Sequence, residues 1–231
     1  MARDTRSAYE PRLASVAAAI GEPARSRMLA SLLSGQYASA GELAAVASVS
    51  AATASAHLAR LLQEGLVVCE PRGRHRYFRL ADEQVAQALQ ALALVAESQV
   101  HDHRWQHPGR RELRAARCCY GHLAGQLAVR LFDTLQQRGC LVPVADGFAL
   151  SEAGHAWLAA MGMRADPPSR RRRYAYRCLD WSERRDHLAG QLADQIFHHC
   201  LTRDWLRRGD ARAVVLTEHG RREWLPRLSA G

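Results

Sequence analysis

Two short stretches carry the side chains best suited to chemistry. One is Arg117-Cys118-Cys119-Tyr120-Gly121-His122. The other is Arg177-Cys178-Leu179-Asp180-Trp181-Ser182-Glu183-Arg184-Arg185-Asp186-His187. Each brings an Arg-Cys pair and a histidine. Thiolates and imidazoles together suit a thiophilic divalent ion such as zinc, cadmium or lead. Neighbouring arginines also lower a thiol's pKa, which suits a redox switch. Read as a helix, Cys119 and His122 share a face. The candidate metal or redox residues are therefore Cys118 or Cys119, with His122, Cys178 and His187. The alternative is packing alone, because cysteine is often buried as a small hydrophobe. No Cys/His/Asp motif of a known catalytic type accompanies them, so no catalytic residue is assigned.

A duplication positions these residues. His122-Leu123-Ala124-Gly125-Gln126-Leu127-Ala128 recurs as His187-Leu188-Ala189-Gly190-Gln191-Leu192-Ala193. Leu150-Ser151-Glu152-Ala153-Gly154 with Trp157-Leu158 recurs as Leu216-Thr217-Glu218-His219-Gly220 with Trp224-Leu225. The spacing between copies stays between 65 and 67 residues, as a true internal repeat requires. The units cover about 110–166 and 174–228, joined through Pro167-Pro168-Ser169 and Arg170 to Arg173. Each reads as a helix, a turn, a strand-like segment and a short helix. Cys69, Cys140 and Cys200 lack such partners and read as core or incidental. Trp181, Trp205 and Tyr120 could line a small-molecule pocket, although such aromatics more often fill a core.

The first hundred residues have a different organisation. Apolar spacing predicts helices over residues 8–20, from Pro23 to about Gly35, and over 40–47. In the first, Leu13, Val16, Ala17 and Ile20 make the apolar side. Ser48-Val49-Ser50 then turns into a helix with Leu58, Leu61 and Leu62 on one face and Thr53, Ser55, His57 and Arg60 on the other. Ser50 is its N-cap candidate. Two short helices joined by a tight turn, the second with a polar face, form a helix-turn-helix. Residues 66–70 and 75–80 alternate as strands around a basic tip of Arg72, Arg74, His75 and Arg76. That hairpin reads as a wing whose arginines would hold phosphate. A further helix over 82–99 carries Val85, Leu89, Leu92 and Val95 and suits pairing with a second copy.

Composition agrees with a nucleic-acid partner. The net charge is +9 over 231 residues, and all 32 basic residues are arginine. A basic surface attracts polyanions. Hydrophobic content of 48% supports a packed core. No secretory leader opens the chain and no apolar run is long enough for a membrane span. The expectation is a cytoplasmic protein with reduced thiols and no membrane partner.

Residues 20–80 resemble the ArsR/SmtB family of winged-helix repressors. The resemblance rests on Ile20-Gly21-Glu22-Pro23-Ala24-Arg25-Ser26-Arg27-Met28-Leu29, Gly41-Glu42-Leu43-Ala44, the run from Ser50 to Leu61, Glu64-Gly65-Leu66-Val67, and Gly73-Arg74-His75-Arg76-Tyr77-Phe78-Arg79-Leu80. It implies a homodimer that binds double-stranded operator DNA and leaves it when an inducer, metal or small molecule, binds. Two recognition helices one DNA turn apart imply a roughly palindromic operator. The chain departs from the family's common metal sites. The helix Gly41 to Ala47 has no cysteine, and the last helix offers only Asp82 and Glu83 at one end and His101-Asp102-His103 at the other. His101, His103 and His107 could bind a metal, but a solvated linker before Pro108-Gly109 is favoured. The Cys-Tyr-x-His-Leu-Ala-Gly and Cys-Leu-Asp-Trp-Ser-Glu-Arg-Arg stretches are similar to those of a long-tailed, metal-responsive branch.

The expected fold is mainly α with small β-hairpins. Residues 1–103 form a winged helix-turn-helix domain and 104–231 a duplicated α+β effector domain. DNA contacts are assigned to Ser50, Thr53, Ser55, His57, Arg60, Arg72, Arg74, His75 and Arg76. The expected function is a repressor released by a metal ion or thiol-reactive signal. The alternatives are a tail that only binds a partner or small molecule and, less favoured, a cysteine-dependent enzyme fused to a DNA-binding domain.

Overall fold

The computed structural model describes residues 12–73, 75–97, 107–169 and 172–228. The chain forms two compact units, Met1–Val85 and Ala86–Gly231. The division falls inside the helix Glu83–Glu97, ahead of the 103–104 boundary expected from the sequence. Most of that helix belongs to the second unit, where its Gln87 donates to the Tyr176 hydroxyl at 3.3 Å.

The first unit runs α1 (Leu13–Gly21), α2 (Pro23–Leu32), β1 (Ala38–Ser39), α3 (Ala40–Ala47), α4 (Ala51–Gln63), β2 (Val67–Arg72) and β3 (His75–Leu80). Local chemistry sets the helix starts. Glu22 accepts from the Arg25 amide at 2.8 Å, and Pro23 fills the first turn, where no amide hydrogen is missed. Ser39 and Glu42 form a reciprocal capping box. Ser48, at φ 56°, closes α3, and the Ser50 hydroxyl accepts from the Thr53 amide at 3.2 Å to start α4. The two helices bend by 103° across this turn. Strands β2 and β3 pair antiparallel, and β1 adds to the other edge of β3. Met28, Leu29, Leu43, Leu58, Leu61 and Leu80 fill the core between helices and sheet.

Helix α1 differs from expectation. Its first expected residues, 8–11, lie outside the described residues. Ala19 is its buried residue, and Leu13 is 72% exposed instead of facing the core. The cause is polar. Arg25 and Ser26 of α2 donate to the Ala18, Ala19 and Ile20 carbonyls, so α2 grips the last turn of α1 and fixes which side turns inward.

The second unit holds α5 (Glu83–Glu97) from Ala86 onward, α6 (Pro108–Ala115) and the two repeats. The first repeat is β4 (Arg117–Cys119), β5 (His122–Ala124), α7 (Gln126–Gln137), β6 (Leu141–Val144), β7 (Gly147–Leu150) and α8 (Glu152–Ala160). The second is β8 (Tyr176–Leu179), β9 (Asp186–Ala189), α9 (Gln191–Thr202), β10 (Leu206–Arg208), β11 (Val214–Leu216) and α10 (Glu218–Glu223), closed by a 3-10 turn. Each unit is thus hairpin, helix, hairpin, helix, and not the helix-first unit expected. Among the described residues no single helix is long and apolar enough to cross a membrane.

The shared heptapeptide is the bend from hairpin to helix. Gly125 (φ 88°, ψ −172°) and Gly190 (φ 94°, ψ −173°) start α7 and α9 in the same conformation, one that L side chains rarely adopt. A Cβ there would lie 2.6 Å from the Arg114 carbonyl oxygen or 2.7 Å from that of Tyr174. Leu123, Leu127, Leu131 and Leu135 pack with Leu188, Leu192, Ile196 and Phe197 in one core shared by both copies. Trp205 stacks on Trp224 within it, with planes 6° apart.

A buried ion pair crosses the repeats. Arg117 Nη2 donates to Asp180 Oδ1 at 2.8 Å, and both side chains are fully buried. Asp180 also accepts from the Gly125 amide at 2.7 Å, from the Ser182 amide and hydroxyl, and from the Glu183 amide. Burial alone would raise this carboxyl, but the Arg117 guanidinium and the other donors outweigh it and hold its pKa at about 2.

Gly125→Ala or Gly190→Ala should lower the urea midpoint by a free energy of about 1–3 kcal/mol, and an unchanged midpoint would show that the close approach is relaxed in solution. Asp180→Ala strands a buried guanidinium and should cost about 3–5 kcal/mol in thermal or urea unfolding. In the native chain, the depressed Asp180 pKa contributes stability above the unfolded carboxyl's value, and this is lost as pH falls from about 4 through about 2. Stability measured against pH should therefore drop through that window, and the drop should be shallower in Asp180→Asn.

Candidate functional site

The two hairpins deliver their cysteine and histidine in the same register. Cys119 pairs directly opposite His122 across β4 and β5, and Cys178 opposite His187 across β8 and β9. Directly opposed residues in an antiparallel pair project from the same face. The expected helical face for Cys119 and His122 is therefore replaced by a hairpin. Its two-residue turn, Tyr120-Gly121, has φ of 49° and 112°, the positive values that tight hairpin turns need. The ligand-type atoms of Cys119, His122, Cys178 and His187 all lie within 4.8 Å of one another, and all four residues are buried. The two imidazoles face each other, with Nε2 atoms 3.2 Å apart.

This set can hold a tetrahedral ion. Bond lengths of about 2.0–2.1 Å to nitrogen and 2.3 Å to sulfur imply ligand–ligand edges of roughly 3.3–3.8 Å, which the cluster nearly matches. The ionisation states of Cys119 and His187 fit, while Cys178 would have to give up its proton to an incoming ion. The hydrogen bond from Cys178 holds the Cys119 thiol well below its usual pKa, with further help from His122. The same interaction, with burial, pushes Cys178 up. Burial pushes the His187 imidazole down, so its neutral, ligating form is favoured.

Register also separates the two adjacent cysteines. Cys178 pairs with His187 as Cys119 pairs with His122, so Cys118 corresponds to Arg177. The shared Arg-Cys dipeptide is thus offset by one residue between the copies. Cys118 points the other way along the strand, into the apolar core with Leu123 and Leu127, and burial raises its thiol pKa. It does not join the cluster. Cys140 and Cys200 are also core residues. Trp181 lies under the Arg117 guanidinium at 4.4 Å, and Trp205 is in the core, so both serve packing. His107 is exposed at the start of α6, whereas His101 and His103 lie outside the described residues.

Two carboxylates behind the imidazoles were not identified from the sequence. Asp180 Oδ2 lies 3.6 Å from His187 Nδ1, and Asp194 Oδ1 lies 3.9 Å from His122 Nδ1. The signal available for Asp194 was a difference between the repeats: Val129 stands at the same place in the first copy.

On α4, the exposed residues are Ala51, Ala52, Thr53, Ser55, Ala56, Ala59 and Gln63. Ser50 is exposed but bound to Thr53, their hydroxyls 2.9 Å apart. His57 and Arg60 are engaged inside the domain. His57 Nδ1 lies 3.3 Å from Arg25 Nη1 and 3.7 Å from Glu22. Arg60 pairs with Glu64 at 2.8 Å and donates to the Ser15 hydroxyl at 3.1 Å. Both hold α4 against α1 and α2 rather than standing free. On the wing, Arg72 pairs with Glu70 and lies 4.7 Å over the Tyr37 ring, while His75 and Arg76 are exposed. Arg74 lies outside the described residues.

A helix-turn-helix domain family matches residues 20–70, from the end of α1 through most of β2. Among solved structures, a homodimeric winged helix-turn-helix DNA-binding domain of Mycobacterium bovis, described as a possible ArsR-family regulator, is 28% identical. That match covers 46% of this chain and 94% of the other, with a TM-score of 0.37. The cadmium metal-sensor CMTR of Mycobacterium tuberculosis is 36% identical over 39% of this chain and 93% of its own, with a TM-score of 0.32. Scores of this size carry no argument about the whole chain. The uncharacterized HTH-type transcriptional regulator YdfF of Bacillus subtilis is 35% identical over 213 residues, 91% of this chain and 94% of the relative. With near full-length identity to that relative, and with α3, α4 and the wing in place, the chain belongs to the helix-turn-helix-type transcriptional regulators.

Proposed function

We propose that this regulator is a homodimeric, cytoplasmic repressor of the ArsR type, released from operator DNA when Cys119, His122, Cys178 and His187 take up a thiophilic divalent ion. The observation that carries the reading is the convergence of one cysteine and one histidine from each repeat, in the same cross-strand register, on one buried point. Two thiolates and two neutral imidazoles suit zinc or cadmium. A bound divalent ion would supply a cross-link between the two hairpins. The thiols are buried, which denies a substrate access to a cysteine nucleophile, so no catalysis is assigned to them.

DNA reading is assigned to Ser50, Thr53 and Ser55 on α4, with alanines between them that let the helix approach a groove closely. His57 and Arg60 position that helix. Arg72, Arg74, His75 and Arg76 hold phosphates flanking the groove. Dimerisation is supported by apolar side chains left open in the single chain: Leu13 on α1, and Leu92 and Val95 on α5.

A second reading, a small-molecule inducer, is favoured by an open groove of about 380 Å³ beside α6, α7 and β11. Leu127, Val214 and Leu216 line it, with Arg130 and Arg221 among its polar residues.

Metal analysis and operator titration test the main reading. Purified protein should bind one zinc or cadmium ion per chain, and loading should weaken operator binding about 5–150-fold, the range of a coupling of 1–3 kcal/mol. The double variant Cys119→Ser, Cys178→Ser should keep operator affinity and lose the response. Unchanged operator affinity on stoichiometric loading would reject the ion as inducer. On the wing, Arg76→Ala should weaken binding evenly across sequences and reduce the salt slope by about one phosphate contact. A slope equal to that of the unaltered protein would remove Arg76 from the interface.

A further inference from the structure

Resting on the metal reading above, we propose that Asp194 is a positioning residue for that centre: its carboxylate receives the Nδ1 hydrogen of His122 and so directs Nε2 to the ion. The two histidines already face each other through Nε2, at 3.2 Å, so each turns its Nδ1 outward. A carboxylate waits behind each one, Asp180 behind His187 at 3.6 Å and Asp194 behind His122 at 3.9 Å. Histidines that ligate a metal usually give their second ring hydrogen to such a partner, which fixes the tautomer and makes the ligating nitrogen more basic.

Asp194 is the informative one, because Asp180 also anchors Arg117. Asp194 has one oxygen committed elsewhere: Oδ2 pairs with Arg172 at 2.5 Å. Its other oxygen, Oδ1, is buried and has no hydrogen-bond partner, and it is the atom nearest His122 Nδ1. A buried acceptor without a donor is costly. The duplicated scaffold does not need it, since α7 carries Val129 at the same position. The surroundings are cut to fit. A Cβ on Gly121 would lie 3.2 Å from both Asp194 oxygens, so the turn next to His122 leaves room for this carboxylate. Both outer carboxylates come from the second repeat, although each repeat supplies one of the histidines.

The test uses the full chain with Co²⁺ as a spectroscopic probe and Zn²⁺ in competition with a chelator. Asp194→Asn should weaken zinc binding about 10–100-fold while keeping the sulfur-to-cobalt absorption of an intact two-cysteine, two-histidine set. Asp194→Glu should restore part of the affinity. Arg172→Ala, which removes the ion pair but keeps the carboxylate, should stay within about threefold of the unaltered protein, a difference under 1 kcal/mol. Thermal melting of the metal-free forms separates a folding defect from a binding defect. If Asp194→Asn does not fold, Asp194→Glu and Gly121→Ala carry the test, both expected to bind zinc more weakly than the unaltered protein. Equal zinc affinity in the Asp194 variants overturns the proposal. So does an equal loss in Arg172→Ala, which would assign the effect to the ion pair. If the unaltered protein gives no cobalt spectrum and binds no zinc, the metal reading itself fails and takes this inference with it.

Discussion

The second unit depends on the buried pair between Arg117 and Asp180. Neither group touches solvent, and each belongs to a different repeat. A pair of this kind is weak as a source of net stability, because desolvating both charges offsets most of their attraction. Its effect is on geometry. Asp180 gathers the Arg117 guanidinium, the Gly125 amide at the head of α7 and the amides of its own loop on one carboxylate. Any slide of one hairpin against the other would strand a buried charge. The pair therefore fixes how β4 and β5 stand against β8 and β9, and with that the convergence of Cys119, His122, Cys178 and His187.

Charge balance explains why four such residues can share one dry point. Two thiolates without a cation would repel each other in a low dielectric, so one thiol gives up its proton readily and the other holds it. Neutral imidazoles add no charge. On the proposed metal reading, a divalent cation with two thiolates and two imidazoles would be neutral overall, so its binding would bury no net charge once Cys178 releases its proton.

Much of the first unit was legible because its signals are local. Pro23 and the Ser50 cap are helix starts written within a few residues, and the structure uses both. The duplication was legible as identity, in the heptapeptide from His122. What it encodes was not. Read from composition, Cys119 to His122 fits a helix as well as a hairpin, and the deciding feature is a positive φ at Tyr120, a residue that gives little warning of one. The pairing of Cys119 with Cys178 across the repeats was hidden by the Arg-Cys dipeptide, whose copies are one residue out of register. The partners of His57, Glu22 and Arg25, lie more than 30 residues away in sequence, whereas Arg60 pairs with Glu64 one turn on, a local signal, and with the distant Ser15.

The engagement of His57 and Arg60 within the domain bears on how such a regulator would read DNA. With His57 and Arg60 engaged internally, α4 offers hydroxyls and methyl groups and no free guanidinium to grip guanine in the way that gives about 1–3 kcal/mol of discrimination per good pair. On the proposed reading, operator affinity would lean on arginines of the wing and on the basic surface, through contacts that are sensitive to salt. A coupling of about 1–3 kcal/mol would, on that reading, weaken such a complex about 5–150-fold. Modest direct readout and a buried cysteine-histidine centre would then belong together: the specificity of the response would reside in the centre, and the DNA face would need only to be loose enough to let go.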